Sequence, residues 1–266
     1  MAAALKPRTA EQNGPLWGAR SRDWAELMET LFRPVYAQAF DLAGVDASTR
    51  LVDVGCGSGL AIQLARQRGA TVSGLDASQE LIGIARERCP DARLEIGDLE
   101  SLPFDDGSAD VVSGFNSFQY AGNPANALRE ARRVARRGGQ VLITTWGPPD
   151  AMQAASLVLA LKPLLPPPPP AAPGPFALSD ESMLRAFASD SGLRPQEIRD
   201  VTCDWRFASE ALAIRGLKSS GVSARAIATS GESAVDEAHR TALAPFRAGD
   251  GSYRVTAVFR ILRCAV

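Results

Sequence analysis

Residues Leu51–Gly59 read LVDVGCGSG, an apolar run that ends in glycines at positions 55, 57 and 59. The run predicts a buried strand, and the glycines predict a tight turn directly after it. A backbone without Cβ atoms can turn sharply there and approach a bound ligand closely. Because the turn after the first strand of a doubly wound sheet lies at the ligand-binding edge, this stretch predicts a nucleotide-like cofactor site.

Short apolar runs alternate with longer amphipathic segments from this turn to about residue 146. This alternation is typical of βαβ units and a parallel sheet. Strands are predicted at 50–55, 71–76, 93–97, 109–115 and 139–146, and helices at 59–68, 78–88 and 124–137. The sequence therefore predicts an α/β fold with a Rossmann-like, doubly wound sheet.

The chain changes character after Trp146. The proline-rich stretch at 161–175 predicts an extended surface loop, although an interdomain linker or a ligand for a proline-binding module has the same composition. A helix at 179–191, a strand at 197–206, a helical stretch at 208–247 and a final strand from residue 252 are predicted to follow. The two late strands bring the predicted sheet to seven.

Residues 1–266 are expected to form a single domain. Residues 1–45 are expected to form an N-terminal helical cap, in which residues 21–45 form two helices, or one kinked helix, because Pro34 interrupts the helical spacing. The expected divisions after this cap are a cofactor-binding core at 46–146, a Pro-rich insertion at 147–180, and a C-terminal part of the sheet at 181–266 with a helical insertion at 208–248.

Composition and charge exclude several classes of function. The formal net charge of −1 and the isoelectric point near 6.0 give no positive field that would attract nucleic acid. The cysteines at 56, 89, 203 and 264 are widely spaced, which argues against a metal site or a disulfide framework and favours a reducing, cytoplasmic setting. Neither a signal-peptide core nor an apolar run long enough to span a membrane is expected.

The glycine spacing decides between kinds of cofactor. A dinucleotide fingerprint requires G-x-G-x-x-G/A, whereas this chain has Leu60 at the last position and its third glycine one residue early. A P-loop is excluded because no G-K-[ST] follows the glycines. The pattern that fits is D-x-G-x-G-x-G, followed by an aspartate at the end of each of the next two predicted strands, Asp76 and Asp98.

With these three motifs the chain resembles the class I S-adenosylmethionine-dependent methyltransferases, a family whose seventh strand runs antiparallel. The resemblance implies that Asp53, Gly55, Cys56, Gly57 and Gly59 hold the methionine part of the cofactor, which carries no phosphate. It further implies that Asp76, followed by Ala77, accepts hydrogen bonds from the ribose hydroxyls. Asp98 would accept from the adenine amino group, beside the Leu99 N–H, and Asn116 is also assigned to the cofactor site.

Each of these residues also has a purely structural interpretation. Asp76 could cap the helix that starts near Ser78, and Asp98 could be a turn residue. Cys56 is predicted to be a small filler whose backbone does the binding. His239, the single histidine, lies beside the apolar stripe of a predicted helix and is interpreted as structural. No catalytic base and no metal ligand is assigned.

Residues just beyond the carboxyl ends of the later strands are expected to face the reacting methyl group in this fold. The predicted substrate pocket combines one N-terminal residue, Trp17, with residues near these strand ends: Phe118, Gln119, Tyr120, Trp146, Trp205, Phe207 and Tyr253. An aromatic pocket with few polar groups suits an apolar or ring-containing small molecule. The N-terminal segment, with Trp17, Trp24 and Tyr36, and the two insertions are expected to form a lid.

The region after the fourth predicted strand reads GFNSFQYAGNP and lacks the (D/N)-P-P-(Y/F) signature of the family's amino-methylating branch. The phrases LPFDDGSADVV and LREARRVARRGGQVLI resemble instead the quinone-biosynthesis-like and natural-product branch. The sequence therefore predicts methylation of an oxygen, nitrogen or carbon atom of a small aromatic or polyketide-like metabolite, as in secondary metabolism. Two alternatives stay open: a cofactor-binding protein that transfers no methyl group, such as a scaffold or a rearrangement catalyst, and an NAD-dependent oxidoreductase.

Overall fold

The strand that precedes the glycine turn lies near the middle of the sheet. The structure is a computed structural model that describes residues 9–167 and 174–266, so residues 1–8 of the predicted cap and 168–173 of the predicted proline-rich loop lie outside the described residues. The strands are β1 (Arg50–Val54), β2 (Thr71–Asp76), β3 (Arg93–Ile96), β4 (Ala109–Phe115), β5 (Ala135–Trp146), β6 (Arg194–Phe207) and β7 (Tyr253–Ala265).

These strands form one sheet in the order β3-β2-β1-β4-β5-β7-β6. β1 pairs in parallel with β2 and β4, and β7 runs antiparallel to both of its neighbours. The prediction of a Rossmann-like sheet of seven strands with an antiparallel last strand is thus confirmed. Because β1 is covered by helices on both faces, four of its five residues are buried, as expected for a continuous apolar run.

Helices cover both faces of the sheet. Within the described residues they are α1 (Thr9–Gly18), α2 (Ser21–Asp23), α3 (Arg33–Ala43), α4 (Leu60–Gln67), α5 (Gln79–Arg88), α6 (Pro124–Val134), α7 (Ala154–Ala160), α8 (Glu181–Asp190), α9 (Glu210–Lys218), α10 (Gly221–Ser230) and α11 (Glu232–Leu243). Buried residues of α3, α4 and α5 form one apolar layer, and those of α6 and α8 form a second layer on the opposite face. No helix among the described residues is both long and apolar enough to cross a membrane.

The segment between α2 and α3 is helical but irregular. A π-helical turn at Trp24–Met28 is followed by a 3-10 turn at Glu29–Phe32, and α3 begins one residue before Pro34. Proline is tolerated in the first turn of a helix, because the N–H it lacks has no partner there in any case. The predicted kink therefore extends over nine residues instead of lying at a single position.

The structure adds a helix that the sequence analysis did not predict. α1 contains Gly14, Pro15 and Gly18, residues that normally indicate a turn. It forms because it packs closely on the core: a Cβ on Gly14 would lie 2.4 Å from the Ala77 carbonyl oxygen, and a Cβ on Gly18 would meet the Glu80 carboxylate. Tertiary contacts thus override the local breaker signals.

Two predicted boundaries are wrong. The helix predicted at 124–137 ends at Val134, and the chain continues as β5 from Ala135, which pairs with Ala109 at the start of β4. The helical stretch predicted at 208–247 consists of α9, α10 and α11 with a short 3-10 turn. Ser220 caps α10 by accepting from the Ser223 N–H, and Gly231, with φ of +87°, separates α10 from α11.

Candidate functional site

The glycine turn occupies residues 55–59, between β1 and α4. All three glycines have positive φ, at 74°, 55° and 81° for Gly55, Gly57 and Gly59. A Cβ on Gly55 would lie 2.4 Å from the Cβ of Ser117, and one on Gly59 would lie 2.8 Å from the Cβ of Ala85. Close approach and backbone conformation therefore both require glycine at these two positions.

The N–H groups of the turn are engaged inside the protein. Those of Gly55 and Cys56 both donate to the Leu75 carbonyl oxygen, at 2.7 and 2.9 Å. The Gly57 N–H donates to Asp76 Oδ2 at 2.9 Å, and the Gly59 N–H donates to the Cys56 carbonyl oxygen at 3.0 Å. Backbone N–H groups that converge on a ligand bind phosphate. With these four N–H groups directed elsewhere, the turn is not built as a phosphate cradle.

Asp76 is the last residue of β2. Besides the Gly57 N–H, its carboxylate accepts the Ser78 N–H at 2.8 Å, while Ser78 itself caps α5 by accepting from the Leu81 N–H. The cap of α5 is therefore Ser78, and the alternative that Asp76 serves as this cap is wrong. Burial raises the pKa of Asp76, and the backbone N–H groups around it oppose that shift.

Asp98 lies two residues beyond β3. Its Oδ1 accepts the Glu100 N–H at 2.9 Å and its carbonyl oxygen accepts the Ser101 N–H at 3.1 Å, so the residue does take part in a turn. Its Oδ2 accepts the Ala10 N–H of α1 at 3.3 Å. Asp98 therefore joins the cap to the carboxyl edge of the sheet and also faces the cleft.

Asp53 lies behind the glycine turn. It is fully buried on β1, and its Oδ1 accepts from the Ser113 hydroxyl at 2.7 Å on the neighbouring strand β4. Burial raises the pKa of Asp53 to about 7, and the carboxylates of Glu29 and Asp76 add to the shift. Asp53 therefore links β1 to β4 just before the glycine turn begins.

A cleft of about 970 Å³, partly open to solvent, lies at the carboxyl edge between the sheet and the cap. Its lining residues are Thr9, Ala10, Asn13, Trp17, Trp24, Phe32, Val35, Tyr36, Gly55, Gly57, Asp76, Ala77, Leu81, Gly97, Asp98, Leu99, Phe115, Asn116, Ser117, Tyr120, Ala121, Thr144 and Phe259. Seven of the residues assigned to the cofactor from sequence are therefore brought together. Asp53, Cys56 and Gly59 lie behind this surface, and the Cys56 N–H is already engaged by Leu75.

Asn116 has a left-handed backbone, with φ of 56°, which is uncommon outside glycine. Its N–H donates to the Thr144 carbonyl oxygen at 3.0 Å, and its Oδ1 accepts from Gln119 Nε2 at 2.8 Å. These bonds hold the strained turn after β4 against the cleft. Gln119 thus supports Asn116 and does not itself line the cleft.

The predicted aromatic pocket divides into two groups. Trp17 and Tyr120 line the cleft, with ring centroids 5.6 Å apart. The other aromatic side chains do not line it: Phe118, Trp146, Trp205, Phe207 and Tyr253. Phe118 packs on Gly114 in the opposite layer, Trp146 stacks on Phe259 at 4.7 Å, and the last three are buried in the layer under the cap. Since β6 and β7 remain paired to Phe207 and Tyr253, these strand ends belong to the core.

The cap supplies residues that the sequence analysis did not assign. Phe32 and Phe259 meet at 4.9 Å between centroids and line the cleft beside Thr144. Glu29 is 2% exposed and reaches the glycine turn, where its carboxylate accepts from the Ser58 hydroxyl at 2.5 Å and from the Leu60 N–H at 3.4 Å. No sequence signal indicates this contact, because the π-helical turn determines where Glu29 points.

Arg88, at the end of α5, completes the surroundings of Glu29. Its guanidinium forms an ion pair with the Glu29 carboxylate and donates to the carbonyl oxygens of Ser58, at 2.9 Å, and Ala25, at 3.0 Å. Burial raises the pKa of Glu29, while Arg88 and the Ser58 hydroxyl oppose the shift. Ser58, Leu60 and Arg88 all donate hydrogen bonds to Glu29, which suits an ionised carboxylate.

His239 is buried on α11, outside the cleft, with Nε2 3.3 Å from Ser223 Oγ. Burial lowers the pKa of His239 from 6.5 to about 4. Because folding favours the neutral ring, its contribution to stability is present above pH 6.5 and is lost as the pH falls toward 4.

We expect the melting temperature of a His239→Gln variant to fall less between pH 7 and 4 than that of the wild type. Parallel melting curves across this range would contradict the assignment.

Residues 52–143 match the Methyltransferase domain family. These residues form a class I methyltransferase domain. The family resemblance is therefore confirmed over the part of the chain that contains the glycine turn, Asp76 and Asp98.

Relatives of this methyltransferase domain include two named enzymes. A malonyl-[acyl-carrier protein] O-methyltransferase from Erwinia pyrifoliae is 42% identical over 97 residues, which are 36% of this chain and 37% of that enzyme. A demethylmenaquinone methyltransferase from Tropheryma whipplei is 32% identical over 133 residues, 48% of this chain and 54% of that enzyme. In both cases the matched segment is less than two thirds of the relative's length.

A structural neighbour of the methyltransferase domain has the same fold. The SAM-dependent methyltransferase from Aquifex aeolicus superposes with a TM-score of 0.52 at 13% identity, covering 91% of this chain and 97% of that one. The family cofactor is S-adenosyl-L-methionine. The residues of this chain fit it, because the cleft presents carboxylate acceptors at the ends of β2 and β3 and a glycine turn that is not built for phosphate. Among the described residues, no group of three or more acidic, cysteine or histidine side chains is placed to hold a metal.

Proposed function

We propose that this protein transfers a methyl group from S-adenosyl-L-methionine to an oxygen, nitrogen or carbon atom of a small, apolar, ring-containing metabolite. One observation carries the proposal: a single cleft joins the acidic ends of β2 and β3 to a chamber lined by aromatic side chains. The acidic end suits a nucleoside, and the aromatic chamber suits an acceptor held beside it. The bound cofactor supplies a methyl group on a positively charged sulfur.

The cofactor end of the cleft is assigned by the donors and acceptors of each part. Asp76 would accept hydrogen bonds from the ribose hydroxyls, and Asp98 from the adenine amino group. The Leu99 N–H would lie beside the adenine ring, and the turn at Gly55 and Gly57 would hold the methionine part. Ala77 and Asn116, which line the cleft between these groups, would contact the cofactor through packing and backbone atoms.

The acceptor chamber is built mainly by the cap and by β4, β5 and β7. Trp24 packs on Phe32 at 5.8 Å between centroids, and Tyr36 meets Phe115 edge to face at 4.7 Å. Phe259 closes the chamber from β7. Such a wall favours a flat apolar molecule and excludes water from the reacting atoms, which supports an aromatic or polyketide-like acceptor.

The charges of the chamber restrict the acceptor further. No arginine, lysine or histidine in residues 9–167 and 174–266 lines the cleft, so a carboxylate acceptor would have no cation to bind it. Burial raises the pKa of Tyr36 well above its ordinary value and that of Tyr120 to about 12, so both hydroxyls stay protonated near neutral pH and neither is available as a base. The acceptor must therefore lose its proton without the help of a protein base, as a phenol or enol acidified by a neighbouring carbonyl can.

Thr144 provides a polar contact within the aromatic wall. Its Oγ1 is buried and has no hydrogen-bond partner among the described residues, and the residue is one of those that line the cleft. Buried polar groups are rarely left unpaired. An acceptor carbonyl or hydroxyl would satisfy Thr144 and fix the ring relative to the methyl donor, in line with a reaction that depends on alignment.

The wider setting belongs to the same proposal. Four free, buried cysteines support a reducing, cytoplasmic compartment. Arg133, near the end of α6, and Arg136, at the start of β5, pair with Glu130 and Asp110 at 2.8 and 2.6 Å, which supports a small-molecule partner over nucleic acid. Because the cap lines the cleft, we further propose that residues 1–266 work as a single methyltransferase domain.

The test is a methyl-transfer assay with isotopically labelled cofactor and a panel of acceptors. We expect transfer to neutral phenols and enols, with rates that follow the ionisation of the acceptor and not that of a protein group. Aliphatic carboxylates should accept no label. If calorimetry shows cofactor binding but no acceptor of any class is methylated, the non-methylating alternative is favoured. If NADH binds in place of the cofactor, the proposal is wrong.

A further inference from the structure

We propose that Glu29 is a specificity-determining residue: its buried carboxylate, supplied by the N-terminal cap, makes the glycine turn a site for a cationic ammonium group instead of a phosphate. The inference rests on the proposed function, because it concerns the tail of the same cofactor in the same cleft. Glu29 lies outside the glycine motif in the sequence, and it does not itself line the cleft. It acts through the turn as a positioning residue.

The first observation is where the carboxylate lies. Glu29 Oε1 accepts the N–H of Leu60, the first residue of α4. The beginning of a helix that follows a glycine-rich turn is the usual position for a phosphate, because free N–H groups and the helix dipole favour an anion there. In this protein an internal anion already occupies that position. A phosphate brought to the turn would therefore meet a like charge.

The second observation concerns the face that the turn presents to the cleft. A Cβ on Gly57 would lie 3.4 Å from Glu29 Oε1 and 3.6 Å from Trp24 Nε1. Gly57 lines the cleft, so a ligand tail that packs against its Cα passes close to a carboxylate on one side and an indole N–H on the other. An α-amino acid carries an ammonium group and a carboxylate. The buried Glu29 carboxylate favours the ammonium group through its electrostatic field, and the indole N–H of Trp24, a residue that lines the cleft, can donate to the carboxylate.

The third observation is the balance of charge around the turn. Glu29, Asp53 and Asp76 surround it with three carboxyl groups, and Arg88 is the cation paired with Glu29. Asp76 accepts the Gly57 N–H and Glu29 accepts the Leu60 N–H, while Asp53 lies on β1 two residues before the turn begins. Even with Asp53 protonated, two carboxylates face one guanidinium. The local potential is negative, which favours a cationic tail in a site of low dielectric constant.

The experiment compares two ligands that differ only in this tail. Calorimetry would measure binding of S-adenosylhomocysteine and of 5′-methylthioadenosine, which has the same nucleoside but no amino acid, to the wild type and to Glu29→Gln. We expect Glu29→Gln to weaken the binding of S-adenosylhomocysteine about tenfold and to change the affinity for 5′-methylthioadenosine less than twofold. Glu29→Asp, which keeps the charge, should recover part of the lost affinity.

The outcomes separate a specific role from a merely structural one. If the binding of both ligands is weakened equally, or if neither affinity changes, the inference is overturned. If both variants fail to fold, the wild type still provides a test: an S-adenosylhomocysteine analogue without the α-amino group should bind about tenfold more weakly, and equal binding would overturn the inference. A wild type that binds neither nucleoside contradicts the proposed function itself, and the inference with it.

Discussion

Replacing Arg88 with alanine should lower the free energy of unfolding by about 3–5 kcal/mol at neutral pH. The guanidinium is the cation paired with Glu29, whose side chain is 3% exposed, and it also holds the backbone of Ser58 and Ala25. Without it, an ionised carboxylate stays buried beside the glycine turn. The measurement is urea denaturation of the wild type and the variant, followed by circular dichroism.

The loss should depend on pH in a defined direction. Removal of Arg88 raises the pKa of Glu29 in the folded protein further above its unfolded value, because burial then acts without an opposing cation. A group of this kind favours folding below its unfolded pKa and loses that contribution as the pH rises through its folded pKa. The deficit of Arg88→Ala relative to the wild type should therefore be larger at pH 7.5 than at pH 4.5.

Arg22, on α2, offers a matched control because it also forms an ion pair between the cap and α5. It pairs with Glu87 of α5, but both side chains are more than half exposed. Exposed ion pairs contribute little to stability, so Arg22→Ala should unfold close to the wild type. If Arg88→Ala is as mild as Arg22→Ala, the Glu29 network does not stabilise the turn.

The second large effect is expected on cofactor affinity. Asp76→Ala should weaken the binding of S-adenosylhomocysteine by about 1.5–3 kcal/mol, the range for hydrogen bonds to a charged group. The substitution removes the acceptor proposed for the ribose hydroxyls and also frees the Gly57 N–H, which Asp76 Oδ2 holds at 2.9 Å. Titration calorimetry measures the change directly.

Asp76→Asn separates these two causes, because the amide keeps one acceptor oxygen and the size of the side chain. We expect it to lose less affinity than Asp76→Ala. Asp91→Asn is the control for charge alone, since Asp91 lies in the turn between α5 and β3, with its side chain 75% exposed and paired only with Arg66 among the described residues. An unchanged dissociation constant for Asp76→Ala would remove this residue from the cofactor site.

The central part of the site could be predicted from sequence because its residues are local to strand ends. Asp76 and Asp98 follow directly from the ends of β2 and β3, and parallel strands bring their carboxyl ends to one edge. The glycine turn is likewise encoded within nine residues. In these cases a pattern along the chain is sufficient to predict a position in space.

The acceptor side could not be predicted in the same way. Trp205 and Tyr253 were placed at the correct edge of the sheet, but the alternation of side chains along β6 and β7 directs them into the core. Phe259 was missed because it lies in the middle of β7, six residues beyond Tyr253, where it pairs with Trp146 of β5. Glu29 depends on a π-helical turn, which has no reliable sequence signal.

Helix α1 has a consequence for the kinetics of the proposed methyl transfer. Its Ala10 N–H bonds to Asp98, its Gly14 packs on the Ala77 carbonyl, and its Asn13 side chain donates to the Tyr120 carbonyl oxygen at 2.9 Å. A nucleoside held between Asp76 and Asp98 would lie underneath this helix. Exchange of the demethylated cofactor for a fresh one would then require α1 to move away from the cleft, so we expect release of the demethylated cofactor to limit turnover, after release of the methylated acceptor.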